Sequence, residues 1–354
     1  MYYTETEARR IVIEAGHRLC ESRLVARTWG NISARISDSQ FVITPSGRAY
    51  EGLSEEDLVV VGTDCSYEGD IKPSSEKGVH ADAYALRSDV SFIIHTHQHF
   101  ASAVAADCRD TDFAPCGDYG LPGTSKLRRN MSSCLEDHPE ARTFLMARHG
   151  ALILGTSFEE AFDLASELEE RCRALVEARV PSHDAVNAGI FDISGIKIDG
   201  MPYVRTVSDP YVMECCKAGV SIGAYIDDFA QIVGPDIQVV PCDEWTVQRA
   251  LLGQSTNRAV KHMTDRIPMT GALERMGGQH PALTSMMGRN AVLVKGVGAV
   301  CTGRTERDAE AAAMITAKNC AAACYVRHAR PLGAIDARLQ RYIYLTSYSK
   351  RIDD

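Results

Sequence analysis

The chain has 354 residues, 45% of them apolar and 24% charged, and its 38 Lys and Arg against 47 Asp and Glu give a formal net charge of −9. This length suits one elaborated domain or two, and the acidity argues against nucleic acid or an anionic membrane as partner while leaving room for a local basic pocket for a phosphate. No apolar run approaches the roughly 20 residues needed to cross a bilayer, and twelve cysteines without a CxxC pair point to a reducing cytoplasm in which thiols such as Cys320 and Cys324 are small buried groups.

The chain opens on Thr4, Glu5, Thr6 and Glu7 ahead of ARRIVIEAGHRLCESRLV. That is a capping-box spacing followed by helical periodicity, without the positively charged start of a secretory signal. RTWGNISARI and QFVITPSGRAYEGLSEEDLVVVG then alternate β-rich stretches with Gly, Pro and Ser turns. Residues 76–88 have helical character and lead into VSFIIHTH, a buried strand by its length and β-branched content. ARHGALILG reads as another strand, and TSFEEAFDLASELEERCRALVEARV as an amphipathic helix with Ala161, Leu164, Leu168 and Leu175 on its apolar stripe. Helix, sheet, helix predicts α/β layering.

HGALILGTSFEEAFDLASELEERCRA from His149 aligns at a constant offset with VGAVCTGRTERDAEAAAMITAKNCAA from Val297, pairing Gly150 with Gly298, Gly155 with Gly303, Ala161 with Ala309 and Cys172 with Cys320. The chain therefore contains an internal repeat, clear at its end and weaker where FAQIVGPDIQVVP faces QFVITPSGRAYEG. GIFDISGIKIDGMPYV suits a hairpin connection. The expected organisation is a first domain over 1–182, a hairpin linker over 183–206 and a second domain over 207–354.

IIHTHQHF sets histidines at 95, 97 and 99. On an extended strand the two-residue period points His95 and His97 to one face, where two imidazoles can meet one ion, although an isolated His-x-His is more often structural. IKPSSEKGVH places Glu76 just past a Pro-Ser-Ser turn whose hydroxyls and amides can cradle a phosphate. The same residues read as a helix cap, with Ser74 or Ser75 at the N-cap and Glu76 in the first turn. TPSG and GNIS are small-residue turns in which Asn31, Ser46 and Gly47 offer further donors, and ARHG puts His149 at the head of a strand.

TWGNIS, ITPSG, KPSSE, HTH and RHG occur in that order before an amphipathic helix, and over roughly residues 5–180 the sequence resembles the class II aldolase/adducin family, its L-fuculose 1-phosphate aldolase-like members in particular. The resemblance implies a three-layer α/β/α domain with a central, largely antiparallel sheet, followed here by a degenerate second copy. It implies that His95, His97 and His149 ligate a divalent metal, usually Zn2+ with Mn2+, Co2+ or Fe2+ as alternatives. By the same resemblance Glu76 is the acid/base, and Asn31, Ser46, Gly47, Ser74 and Ser75 bind the substrate phosphate. The reaction implied is reversible retro-aldol cleavage of a small phosphorylated ketose to dihydroxyacetone phosphate or a related fragment and an aldehyde. Epimerisation, dehydration or decarboxylation on the same scaffold are the alternatives, and an adducin-like interaction protein is the reading outside enzymes. Related epimerases carry aspartate after Pro-Ser-Ser, so Glu76 favours the aldolases.

FAPCGDYGLPGT departs from the family pattern, with Cys116 where the aldolases carry a tyrosine that protonates the aldehyde and Tyr119 three residues later as its substitute. Val297 replaces His149 in the second copy, and neither HTH nor KPSSE recurs there. The family builds its sites between subunits of a ring, so a homo-oligomer is expected, with the second half taking a structural part.

Overall fold

The computed structural model describes residues 2–25, 29–179, 238–242, 291–294, 298–303, 305–326, 335, 336, 339 and 342. The linker expected at 183–206 and most of the domain expected at 207–354 lie outside the described residues. The chain divides into two units, Met1–Leu175 with Tyr342–Asp354, and Val176–Arg341.

The first unit begins with helix α1 (Glu5–Glu21), whose start is fixed as the sequence predicts. The Thr4 hydroxyl accepts from the Glu7 amide at 3.3 Å, and Glu7 Oε2 accepts from the Thr4 amide at 2.9 Å. Together these satisfy two of the donors a helix start leaves open. Strands β1 (Asn31–Arg35), β2 (Gln40–Ile43) and β3 (Val59–Gly62) follow as a meander. Helix α2 (Lys77–Leu86) leads into β4 (Phe92–Thr96), helix α3 (His99–Ala105), β5 (Cys116–Gly117), helix α4 (Ser125–Asp137), β6 (Thr143–Met146), β7 (Gly150–Gly155) and helix α5 (Phe158–Arg179). The seven strands form one sheet in the order β3-β2-β1-β4-β7-β6-β5, antiparallel throughout except where β5 joins β6. This is the layered, largely antiparallel α/β fold expected.

Strand alternation decides what each layer meets. Ile93, Leu152, Leu154, Phe144 and Phe41 share one sheet face and pack in a single buried cluster with Val79 and Tyr84 of α2 and Leu127 and Met131 of α4. Each such side chain contributes about 1.5–3 kcal/mol when fully buried. On the opposite face Phe92 meets the Phe158 ring of α5 at 5.4 Å and the Tyr3 ring at 6.5 Å. The buried stripe of α5 runs through Ala161, Ala165, Leu168, Cys172 and Val176, while Leu164 and Leu175 are only half-buried. Of the predicted stripe, Ala161 and Leu168 are buried, and Ala165 and Cys172 take the buried places beside the half-buried Leu164 and Leu175.

On the face toward α2, β1 and β4 are interrupted by polar residues: Asn31 and Ser33 lie beside His95 and Ile93 in the antiparallel register Asn31↔His95, Ser33↔Ile93. All three polar residues are buried. A buried polar stripe in an otherwise apolar layer must be hydrogen-bonded or it costs stability, and this one marks the site.

In the second unit β8 (Gln238–Cys242), β9 (Ala291–Val294) and β10 (Gly298–Gly303) form an antiparallel sheet in the order β8-β10-β9, and helix α6 (Glu306–Tyr325) follows β10. Adding 148 to the numbers of β6 and β7 gives the bounds of β9 and β10, and the pairings Met146↔Gly150 and Leu145↔Ala151 become Val294↔Gly298 and Leu293↔Ala299. At this offset β9 and β10 have the bounds and the register of β6 and β7, and α6 starts where α5 does. No helix among the described residues is long and apolar enough to cross a membrane.

Candidate metal centre and its carboxylate

Two glycines let the strands close around β4. A side chain on Gly150 would place its Cβ 2.2 Å from the Thr96 carbonyl, and one on Gly30, whose φ is +102°, 2.3 Å from the His95 carbonyl. Both distances are impossible for a real Cβ, so the close approach of backbone to β4 requires glycine at each place. The hairpin from β6 to β7 turns through Arg148 at φ 61°, in the left-handed region, and the His149 amide donates to the Met146 carbonyl at 2.9 Å. That tight return brings His149 to the strand bearing His95 and His97.

The result is a cluster of three imidazoles. Potential ligand atoms of His95, His97 and His149 all lie within 4.8 Å of one another, and their rings meet edge to face at 4.9, 4.9 and 4.6 Å. His95 and His149 are buried, and His97 is half-buried. His95 Nδ1 lies 2.8 Å from the Ala151 carbonyl, an acceptor only, so Nδ1 carries the proton and Nε2 presents its lone pair. His95 Nε2 and His97 Nε2 stand 3.1 Å apart. Two nitrogens bound tetrahedrally to one zinc at about 2.0–2.1 Å are separated by about 3.3 Å. The donor set therefore fits a divalent cation, with three neutral imidazoles leaving coordination positions open for substrate oxygens.

Glu76 faces this cluster. The sequence alternative put Ser74 or Ser75 at the N-cap of α2, but Glu76 is itself the N-cap and makes no capping bond with its side chain. The Ser74 hydroxyl instead accepts from the Glu76 amide at 3.2 Å, which frees the carboxylate to turn inward. Its Oε2 lies 3.1 Å from His95 Nε2 and its Oε1 3.5 Å from His149 Nε2. Burial alone would raise the Glu76 carboxyl, but His149, then His95 and His97, when protonated in the absence of a metal, outweigh it and hold the group well below the ordinary carboxylate range. A bound cation would act in the same direction.

The remaining expected residues fall in four places. Asn31 sits opposite His95, and its Nδ2 donates to Glu76 Oε2 at 3.1 Å, so its amide engages the carboxylate. The TPSG and KPSS turns are stitched together by the Pro45↔Pro73 bridge and by the amides of Ser46 and Ser74 donating to the carbonyls of Lys72 and Thr44. This sets Ser46 and Gly47 beside Ser74. Ser75 is exposed and lines a cavity of about 230 Å³ with Glu76, Lys77, Thr124 and Arg128. Tyr119 is half-buried in the loop before α4, its carbonyl accepting from Asn130 Nδ2 at 3.0 Å. His99 begins α3, with its ring against Phe100 at 4.5 Å. Two residues missing from the sequence reading join the site: His80 and Tyr84, which follow Glu76 at i+4 and i+8 on the face of α2 that meets β1. That spacing was the available signal.

Residues 10–176 match the family model described as the Class II Aldolase and Adducin N-terminal domain. The chain is 30% identical over 187 residues, 48% of its length and 83% of the relative's, to the 5-methylthioribulose-1-phosphate/5-deoxyribulose-1-phosphate aldolase of Rhodospirillum rubrum. It is 26% identical over 188 residues to the 3-oxo-tetronate 4-phosphate decarboxylase of Haemophilus influenzae, covering 48% of this chain and 87% of that one. Among solved structures, an L-fuculose 1-phosphate aldolase superposes with a TM-score of 0.46 at 28% identity, covering 49% of this chain and 86% of that one.

Proposed function

The chain belongs to the class II aldolase and adducin family, and from that premise we propose that it is a divalent-metal-dependent lyase that reversibly cleaves a small phosphorylated ketose to dihydroxyacetone phosphate or a related fragment and an aldehyde. The observation that carries this reading is the convergence of His95, His97 and His149 on one point with the Glu76 carboxylate beside it. His95, His97 and His149 hold the metal, zinc by preference, which when bound supplies a Lewis acid for the carbonyl and hydroxyl oxygens of the ketose.

The protein's own groups do the rest. Cleavage removes the proton of the hydroxyl on the departing carbon and leaves the electron pair of the broken bond on the carbon beside the carbonyl. Glu76, ionised at rest, removes the proton from that carbon in the synthetic direction, and in cleavage returns it after taking a proton from solvent, general acid–base work worth typically 10² to 10⁴ in rate. Tyr119 is assigned to the hydroxyl proton on the aldehyde side. Ser46, Gly47, Ser74 and Ser75, with the second amide hydrogen of Asn31, hold the phosphate and so orient the reacting bond. The cavity beside Ser75, flanked by Lys77 and Arg128, suits an anionic substrate. We take the enzyme to be cytoplasmic and a homo-oligomer with its sites at subunit interfaces.

The similarity to a decarboxylase supports a second reading, because loss of CO₂ beside a carbonyl leaves the same electron pair to be stabilised and protonated. A screen of ketose 1-phosphates for aldehyde release, with 3-oxo acid phosphates and pentose 5-phosphates in parallel, separates lyase, decarboxylase and epimerase. Aldehyde release that stops on chelation supports the proposal; CO₂ release or epimerisation without aldehyde overturns it.

A further inference from the structure

Behind Glu76 runs a buried chain of hydrogen bonds that the proposed reaction does not itself use. Asn31 Nδ2 donates to Glu76 Oε2 at 3.1 Å, Asn31 Oδ1 lies 2.5 Å from His80 Nε2, His80 Nδ1 lies 2.7 Å from the Ser33 hydroxyl, and that hydroxyl lies 2.8 Å from the Tyr84 hydroxyl. His80 and Ser33 are fully buried and Tyr84 is 1% exposed. Glu76, His80 and Tyr84 form an i, i+4, i+8 stripe on α2, and Asn31 and Ser33 an i, i+2 stripe on β1, so the two periods mesh residue by residue.

The direction of every bond follows from the carboxylate. An ionised carboxylate only accepts, so the side of the Asn31 amide that faces Glu76 is its NH₂, and Oδ1 must face His80. His80 Nε2 then carries the proton and donates it, and Nδ1 is the acceptor, filled by the Ser33 hydroxyl. Tyr84 closes the chain by donating to Ser33 Oγ or to the Ser33 carbonyl, which lies 3.1 Å from its hydroxyl. Burial also pushes the His80 imidazole down to about 3, in keeping with a ring that stays neutral and keeps one tautomer.

We propose that His80 is a positioning residue: its Nε2–H, facing Asn31 Oδ1, holds the orientation of the Asn31 amide, which pins Glu76 Oε2 and leaves Oε1 as the oxygen that moves the proton. Glu76 Oε1 is buried and accepts no hydrogen bond among the described residues, as a proton-transfer atom waiting for substrate must be. Were the amide reversed, Asn31 Oδ1 would oppose Glu76 Oε2, two acceptors without a proton between them, and the carboxylate would lose its anchor.

The part concerning Glu76 rests on the lyase reading; the tautomer does not. Nitrogen-15 NMR of ring-labelled full-length protein, loaded with zinc, is expected to show His80 as the Nε2–H tautomer from pH 6 to 8, values that bracket the ordinary imidazole range. A protonated Nδ1 or a charged ring would overturn the relay whatever the enzyme's reaction. In activity, His80→Leu is expected to lower kcat about tenfold or more with zinc content unchanged, the size of effect that follows losing one buried hydrogen bond. His80→Gln, whose amide nitrogen falls near the position of Nε2, restores most of kcat, whereas His80→Asn, whose nitrogen falls nearer Nδ1, does not. Equal kcat in the Gln and Asn variants overturns the proposal, because burial and polarity alone would then explain the residue. If His80→Leu fails to fold, the comparison of the Gln and Asn variants and the wild-type His80 tautomer decide the proposal without it.

Discussion

The strands of β6–β7–α5 and of their counterparts β9–β10–α6 share bounds and cross-strand register at a constant offset, and the two helices start at that offset, yet the segments differ where chemistry would sit. Arg148 takes the left-handed region in the first turn; the aligned sequence position is Gly296, which accepts that conformation most readily. The next position is His149 in the first copy and Val297 in the second, both read from sequence, and positions 295–297 lie outside the described residues. On the far side of the hairpin, His95 faces Leu152 in the β4 register, and the β8 register puts Pro241 at the corresponding place opposite Val300. A repeated backbone frame therefore does not carry the site with it. The frame is held by apolar packing and ladder hydrogen bonds, and the candidate metal centre is a few side chains placed on it.

The largest effect that can break this comparison is loss of the third imidazole. His149→Ala is expected to abolish stoichiometric zinc binding and with it activity, while Val297→Ala at the aligned position leaves metal content unchanged; metal analysis of both purified variants checks the pair. Retention of zinc by His149→Ala would mean that the first copy, like the second, is only a frame.

Glu76→Gln comes next. It keeps the shape and the bond to Asn31 through the amide oxygen but removes the proton acceptor, so turnover is expected to fall about 10² or more with zinc retained. Steady-state kinetics with metal analysis separates this from the ligand variant, and near-normal turnover would remove Glu76 from the proton step.

A smaller effect is on stability. His80 is driven by burial down to about 3, against an ordinary imidazole value of about 6.5. Below the ordinary value the unfolded chain takes up a proton that the folded chain refuses. Stability from this group is therefore complete above about pH 6.5 and declines as pH falls toward 3, amounting to roughly 2 kcal/mol lost by pH 5. Urea titrations from pH 7 to 5 should show this slope in the wild type and a shallower one in His80→Gln. Equal slopes would show that His80 is charged in the fold.

How much of this was legible in the sequence differs residue by residue. His95 and His97 follow from the strand period; β4 ends at Thr96, and the two Nε2 atoms still come within 3.1 Å of each other. The Thr4 capping box was readable because both of its bonds are local. His149 and Glu76 came from ordered motifs, since nothing in local spacing says that a hairpin turn will return to β4 or that an N-cap carboxylate will turn inward. His80 and Tyr84 were missed because a helix stripe becomes meaningful only when the facing strand is known, and pairing Asn31 with His95 is a tertiary fact. The wider second copy lies largely outside the described residues.

The smallest expected effect concerns substrate. Ser75→Ala removes one exposed hydroxyl beside the cavity, and KM for a phosphorylated substrate is expected to rise several-fold with kcat nearly unchanged. No preference of the wild type for phosphorylated over unphosphorylated ketoses would remove the phosphate assignment of the 44–47 and 72–76 turns.

The central claim, one metal centre held by the first copy of the frame, is tested most directly by zinc-edge X-ray absorption on the full chain together with its metal stoichiometry. The account predicts one zinc per chain bound by three imidazole nitrogens at about 2.0–2.1 Å with the rest of the shell oxygen. Two ions per chain, sulfur ligation, or an unchanged spectrum in the His95→Ala variant would contradict it.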